Sequence, residues 1–350
     1  MNLNRISAIR EKTKKLGVVL ITDLPNIYYL VGFTGSSGAL LITHKKTLFF
    51  TDFRYKEQSA REIKSAETII TKDSLFEELA AHSALKSIKT LGFESQIAYS
   101  TYKLLKKALK GKKLVPLKDK IETMRMLKDE SEINTIKKAS RISEQAFRHI
   151  LPLVKPGAIE RDIALEFDYQ VRKNGGEGVS FPTIVASGPS AALPHARTSS
   201  RKLKNGDTVV IDFGAIYNHY CSDTTRTLIL GDNPKAYKIY KIVQSAQKTA
   251  IKAIKIGIPL SKLDAVARNI IRKAGYGEYF GHSLGHGVGL NVHEAPRVSK
   301  KSKDKVIPGM VFTIEPAIYL PNLGGVRIED MVLVTDKGIE LITRSPYEKF

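Results

Sequence analysis

Tryptophan is absent from this 350-residue chain, and cysteine occurs once, at Cys221. A single thiol excludes an internal disulfide and fits a reducing compartment, so the expected location is the cytoplasm. No apolar run approaches the roughly 18–20 residues of a membrane span, and Met1 to Lys15 lacks the continuous apolar core of a signal peptide. No glycine-rich phosphate loop follows a strand-like run in residues 1–120, which leaves dinucleotide and ATP binding unsupported. Acid is scarce as well. Asp+Glu total 35 against 56 Lys+Arg, a formal net charge of +21. Lysines cluster at Lys12, Lys14 and Lys15, through 103–113, and at Lys300, Lys301, Lys303 and Lys305. In the 101–113 run they alternate with Leu104, Leu105, Ala108 and Leu109 at helical spacing, so these charges are expected to face solvent. No aromatic–basic interleaving accompanies them. Nucleic acid is therefore not an expected partner, and the charge excess is left without a function.

What is present is an ordinary globular composition, 42% hydrophobic and 26% charged, in a chain long enough for two domains. Residues 1–120 alternate strand-like runs (Val18–Thr22, Ala39–Thr43, Thr47–Thr51, Thr68–Thr71, Thr90–Glu94, Leu114–Leu117) with helix-like ones (Tyr55–Ile63, Leu75–Leu85, Tyr102–Leu109). That alternation predicts an α/β domain. From Lys128 the apolar positions Ile133, Ile136, Ala139, Ile142, Ala146 and Ile150 predict a long amphipathic helix, with Asp129 or Ser131 as its cap. It opens a second domain, 121–350, with further helices near 160–174, 235–256 and 260–274. An internal repeat appears at an offset of 100: Lys155/Lys255, Gly157/Gly257, Arg172/Arg272, Lys173/Lys273 and Gly175/Gly275. Two related half-domains with a cleft between them would account for it.

Every acid of interest lies in or beside a strand-like apolar run of that second domain. Asp212 and Asp223 are eleven residues apart, Glu315 and Glu329 fourteen apart, and His286 stands among glycines in Gly-His-Gly-Val-Gly. Taken singly, Asp212 is a common strand-end residue, Asp223 a common turn former, and a lone histidine more often structural than ligating. Jointly they carry a formal charge of −4, which two divalent cations would cancel. Five side chains are too few to ligate two ions separately, so some carboxylates must bridge, at an ion separation of roughly 3.5–4 Å. The oxygen-dominated set is harder than a structural zinc site. Manganese is placed first, with cobalt, zinc and iron left open.

These motifs resemble the pita-bread metallopeptidases, the family of Xaa-Pro aminopeptidases, prolidases and methionine aminopeptidases. The residues that carry the resemblance are Val210–Ala215, Tyr220–Thr227, Gly281–Gly289, Val292–Glu294, Ile314–Pro316 and Gly325–Asp330. Asn26–Gly35 and Thr51–Tyr55 further resemble the creatinase-like amino-terminal domain of the Xaa-Pro enzymes, which methionine aminopeptidases lack. The implied fold is an α/β creatinase-like domain, 1–120, followed by an α+β pita-bread catalytic domain with pseudo-twofold duplicated halves. The implied function is an Xaa-Pro aminopeptidase, with an Xaa-Pro dipeptidase as the alternative and a catalytically silent binding module as a third reading. The silent module predicts a lost ligand, and all five are intact.

The resemblance also implies roles. Asp212, Asp223, His286, Glu315 and Glu329 would hold two divalent ions. Glu315 would in addition carry the proton from water to the leaving nitrogen. His195 and His293 would line the substrate pocket and assist catalysis, and His282 would either contact substrate or brace its loop. Arg327 would assist catalysis by holding a ligand or a substrate carbonyl, and Asp330 would stand behind the ligands, while Arg226 is as easily a structural ion-pair partner. Arg297 would clamp the free carboxylate of a dipeptide or merely brace the loop. Small proline-containing peptides are the implied substrates, and relatives imply a homodimer.

Overall fold

The structure, a computed structural model, describes residues 2–347; Met1 and 348–350, the outer ends of the two expected domains, lie outside the described residues. The chain divides into two compact units, Met1–Arg125 and Met126–Phe350. No helix among the described residues is long and apolar enough to cross a membrane.

The first unit contains a six-stranded sheet in the order β4-β3-β2-β1-β5-β6. Its strands are β1 (Val18–Ile21), β2 (Ala39–Thr43), β3 (Thr47–Asp52), β4 (Glu67–Thr71), β5 (Thr90–Phe93) and β6 (Lys113–Pro116). The β1–β2 and β2–β3 pairs are antiparallel, and β3–β4, β1–β5 and β5–β6 are parallel. The helices are α1 (Asn2–Lys12), α2 (Leu24–Val31), α3 (Lys56–Glu62), α4 (Leu75–Ala81), α5 (Tyr99–Ala108) and α6 (Lys120–Arg125). The strands agree with the sequence pattern to within a residue or so, whereas α1, α2 and α6 were not anticipated. Helix α2 had a readable start, since Asp23 accepts from the Asn26 backbone N–H and Pro25 occupies the first turn. The expected helix over 75–85 stops early. His82 is extended and its Nδ1 accepts from the Ala84 N–H, which starts a separate short 3₁₀ turn at Ser83–Leu85.

Glu94, just past β5, is 4% exposed. It accepts from the Thr22 and Asp23 backbone and from the Asn26 amide. Burial outweighs these bonds and lifts its pKa from 4.5 to about 7. A raised folded-state pKa means that the neutral acid's contribution to stability is complete below the unfolded value of 4.5 and is lost as pH rises through about 7. The opening free energy of the Leu20 and Leu91 amides, read by hydrogen exchange, is expected to fall by on the order of 3 kcal/mol across that window. Glu94→Gln should flatten the slope, and an unchanged slope would assign it to another group.

The second unit opens with α7 (Glu130–Ile150), for which Asp129 rather than Ser131 is the cap, in a reciprocal capping box with Glu132. Helices α8 (Glu160–Lys173), α9 (Pro234–Lys252) and α10 (Leu260–Lys273) complete two helix pairs, α7 with α8 and α9 with α10. The strands are β7 (Gly178–Val179), β8 (Ile184–Ser187), β9 (Thr208–Phe213), β10 (Ala215–Tyr217), β11 (Tyr220–Cys221) and β12 (Thr224–Ile229) in the first half. In the second half they are β13 (Gly285–Gly287), β14 (Glu294–Val298), β15 (Val311–Ile314), β16 (Ala317–Leu320), β17 (Gly324–Arg327), β18 (Asp330–Thr335) and β19 (Gly338–Leu341). They form sheets ordered β12-β9-β8, β11-β10-β7, β14-β13-β15-β18-β19 and β16-β17.

The two halves repeat in hydrogen-bond detail. Gly157 N–H donates to the Leu203 carbonyl and Gly257 N–H to the Val306 carbonyl, while the return bonds run from Leu203 to Ala158 and from Val306 to Ile258. Gly175 and Gly275 follow α8 and α10 with φ of 89° and 88°, the left-handed conformation that glycine adopts without strain. The short sequence repeat thus marks equivalent turns in a duplicated scaffold.

Candidate metal centre

All five expected ligands meet in the second unit, at or within one residue of strand ends. Asp212 lies on β9 and Asp223 immediately precedes β12; His286 lies on β13, Glu315 directly follows β15, and Glu329 directly precedes β18. The β9–β12 pair of the first half and the β15–β18 pair of the second therefore each deliver two carboxylates. Potential ligand atoms of Asp212, Asp223 and Glu329 lie within 4.8 Å of one another, as do those of His286, Glu315 and Glu329. A third such group joins Asp223 and His286 to His293.

The surroundings orient these groups. His286 Nδ1 is 3.1 Å from the Gly287 carbonyl oxygen, a contact that places the proton there and leaves Nε2 as the acceptor. Nε2 lies 3.5 Å from Asp223 and 3.4 Å from Glu315. The glycines flanking His286 answer to the protein backbone rather than to a bound species. A Cβ at Gly285 would sit 1.9 Å from the Thr313 carbonyl oxygen, and one at Gly287 would sit 2.1 Å from that of Ala295. They let β13 pack tightly between its neighbouring strands.

Charge crowding dominates the electrostatics. Burial, then repulsion from Glu329, holds the Asp223 and Glu315 carboxyls well above their ordinary range. Burial and Asp212 raise Glu329 to about 8. Burial depresses the His286 imidazole to about 3, so it is neutral and able to ligate. Asp212 Oδ1 is buried with no hydrogen-bond partner. Clustered carboxylates, an orphaned buried oxygen and a neutral imidazole are what divalent cations would satisfy, so this donor set fits two of them.

Arg327 donates to Asp212 Oδ2 at 2.6 Å, to the Tyr319 hydroxyl at 2.7 Å and to Thr225 Oγ1 at 3.0 Å. Thr225 Oγ1 in turn donates to Glu329 Oε2 at 2.8 Å. His282 has Nδ1 2.8 Å from the Ser283 carbonyl and Nε2 3.1 Å from the Tyr319 hydroxyl, so both ring nitrogens are engaged within the protein. Burial lowers its pKa to about 4. His195, His293 and Arg297 are exposed and line the same cleft of about 700 Å³, together with Phe181 and Arg197.

Asp330 departs from expectation. Adjacent strand residues point to opposite faces, and its carboxylate turns from the cluster to Arg226 at 2.7 Å, Thr343, Gln247 and Tyr347. Arg226 is correspondingly structural. It is 1% exposed, donates to the Glu329 and Ser345 carbonyls, and has its guanidinium 4.5 Å from the centre of the Tyr347 ring.

The profile of metallopeptidase family M24 matches residues 134–336, and that of the creatinase/prolidase N-terminal domain matches residues 5–127. The chain belongs to the M24 metallopeptidase family. A protein named Xaa-Pro dipeptidase from Pyrococcus horikoshii is 42% identical over 352 residues, covering 97% of this chain and 99% of its own. A solved Xaa-Pro dipeptidase from Bacillus anthracis superposes with a TM-score of 0.96 at 40% identity, covering 99% of each chain. A solved X-Pro aminopeptidase from Thermotoga maritima gives 0.88 at 39% identity, covering 97% of this chain and 99% of that one. This M24 chain therefore has the creatinase domain followed by the pita-bread fold, and the family implies divalent metal ions.

Two residues at this M24 centre escaped the sequence reading. Thr225 sits within a quoted motif, but nothing there marked it as the hinge between Arg327 and Glu329. Tyr319 lies in an apolar strand with no local signal. Thr225→Val is expected to weaken divalent-ion affinity by about 10–100-fold with the fold intact, read by metal titration. Unchanged affinity would mean that Glu329 is oriented without it.

Proposed function

We propose that this M24 metallopeptidase is an Xaa-Pro dipeptidase, hydrolysing the bond between an amino-terminal residue and a carboxy-terminal proline. The observation that carries this reading is the cross-strand pairing of His286 with Arg297 between β13 and β14. Directly opposed residues of an antiparallel pair extend from one face of the sheet, so a guanidinium stands beside the histidine of the donor set. In an Xaa-Pro dipeptide one residue, about 3.5 Å of chain, separates the scissile carbonyl from the free carboxylate. Arg297 can clamp that carboxylate bidentately, whereas a longer peptide presents a neutral amide at this point. The names of the relatives favour the same reading over the aminopeptidase that the sequence placed first. The Thermotoga neighbour keeps the aminopeptidase as the second reading.

In this reading Asp212, Asp223, His286, Glu315 and Glu329 would hold two divalent ions, Asp223 and Glu329 being the carboxylates that each belong to two of the three ligand groups. Manganese suits the oxygen-rich set best among the candidates. When bound, the ions would lower the pKa of a water and polarise the scissile carbonyl. Glu315 accepts the proton lost by the attacking water and delivers it to the proline nitrogen as the C–N bond breaks. That delivery is obligatory, because the nitrogen of a tertiary amide carries no hydrogen and leaves only when protonated. His195 and His293 reach into the cleft from exposed positions and donate to the carbonyl oxygen or the departing nitrogen. Arg327 fixes Asp212 in place, and Phe181 offers an apolar wall for the proline ring.

Wild-type protein should cleave Xaa-Pro far better than Xaa-Pro-Yaa-Zaa, and the opposite preference would return the aminopeptidase reading. Arg297→Ala should raise KM for the dipeptide by about 10–100-fold, the loss of one charge-assisted contact, with kcat much less affected. Glu315→Gln should cut kcat severely while some metal remains, and near-normal turnover would move the proton shuttle to another group. Alanine at His195 or His293 should lower kcat/KM by on the order of 10²-fold at unchanged metal stoichiometry. Loss of metal in the His293 variant would instead add that residue to the ligand set.

A further inference from the structure

The metal centre leaves the excess of lysine unexplained, and part of it gathers in a second cavity. A recess of about 670 Å³ lies in the amino-terminal unit at the end of the sheet where β1 and β5 begin and β2 turns into β3. Its volume is that of a small-molecule site. Lys14, Lys15, Lys45, Lys46 and Lys89 line it, and no aspartate or glutamate does. Lys14 pairs with Glu11 at 2.6 Å and Lys46 with Glu67 at 3.2 Å, both on the exposed surface, where such pairs are weak. Lys15, Lys45 and Lys89 have no acidic partner among the described residues.

We propose that this recess is an anion site for an oligophosphate, either free or as the tail of a nucleotide. All five lysines are exposed around the recess, and clustered ammonium groups repel one another until an anion gathers among them. Five lysines around one recess call for several negative charges in a short chain, which a phosphate chain supplies and a single carboxylate does not. Neutral donors are also at hand. His82 Nδ1 accepts from the Ala84 N–H, which puts the imidazole proton on Nε2, and the ring is held edge-on against Phe50. Ser83 and Ser87 add hydroxyls to the rim, and Leu16, Leu48 and Ile88 give the lining an apolar part able to pack a nucleoside body. An extended nucleic acid fits less well. The basic lining is a recess rather than a stripe, and it contains no Phe, Tyr or Trp on which bases could stack.

The test is calorimetric titration of the full-length protein with sodium tripolyphosphate and, separately, with ATP at about 0.15 M salt. Saturable binding of both is expected, weakened at least about 10-fold in Lys45→Glu/Lys89→Glu. A control, Lys106→Glu/Lys107→Glu on the exposed face of α5, makes the same change in net charge outside the recess and should leave affinity within about twofold. Equal affinity for the two ligands would mean that the phosphate chain alone is read, and tighter ATP would add the nucleoside as a recognised group. No saturable binding of either ligand overturns the proposal. Binding that survives in Lys45→Glu/Lys89→Glu would place the anion elsewhere, the metal centre included, and overturns it too. Equal losses in the two variants would reduce the effect to general charge, and displacement by a single-stranded oligonucleotide of higher affinity would make the surface a nucleic-acid site.

Discussion

Mutual repulsion among buried carboxylates is the constraint around which the second unit is organised. Asp223 and Glu329 are almost fully buried, and Asp212 and Glu315 are mostly so. Carboxylates packed this closely and this deep are tolerable only with counter-charge or added protons. Arg327 supplies one fixed positive charge, against Asp212, and the remainder fits divalent cations. The scaffold fixes the acids in place because each sits at or next to a strand end. Glu315 N–H donates to the Leu284 carbonyl and Glu329 N–H to the Thr225 carbonyl, so the side chains are positioned by the ladder itself.

Duplication explains why the charge is shared between two sheets. Equivalent turns at Gly157 and Gly257 and equivalent helix ends at Gly175 and Gly275 set two similar frames. Each frame aims a pair of acids inward, Asp212 with Asp223 and Glu315 with Glu329. Only the second half adds a histidine, and its tight strand packing leaves no room for a Cβ at Gly285 or Gly287. A second buried charge system, Arg226 with Asp330, lies on the other side of β18, and every guanidinium nitrogen of Arg226 donates to a carbonyl or carboxylate. That completeness is what makes a buried ion pair tolerable.

Most of the secondary structure could be read from local pattern, and the exceptions have local causes. The strands of the first unit are short apolar runs between turn residues and were found to within a residue or so. Helix α2 was missed although Asp23 and Pro25 signal its start, because its eight residues are too apolar to show a helical stripe. The 75–85 segment read as one helix, since a competing hydrogen bond from the Ala84 N–H to the His82 imidazole leaves no trace in hydropathy. The basic recess was legible only as scattered lysines. Lys15, Lys45 and Lys89 come from three separate connections, and it is the sheet that brings them to one cavity.

The amino-acid sequence by itself supplied the candidates for the site: four acids and a histidine beside strand-forming runs, in motifs that resemble those of the family. It determined this because unpaired acids next to apolar strands are costly, so their recurrence in one chain marks a shared purpose. Tertiary structure decided the assignments that depend on direction. Strand alternation turned Asp330 away from Glu329, cross-strand register set Arg297 opposite His286, packing between halves brought Thr225 to Arg327, and the β16–β17 pair brought Tyr319 to it. The separations differ: Thr225 and Arg327 lie 102 residues apart, whereas Tyr319 and Arg327 lie 8 apart and meet through the β16–β17 pair. Side-chain direction follows from the pleat and from pairing with distant strands, and that pairing exists only once the chain has folded.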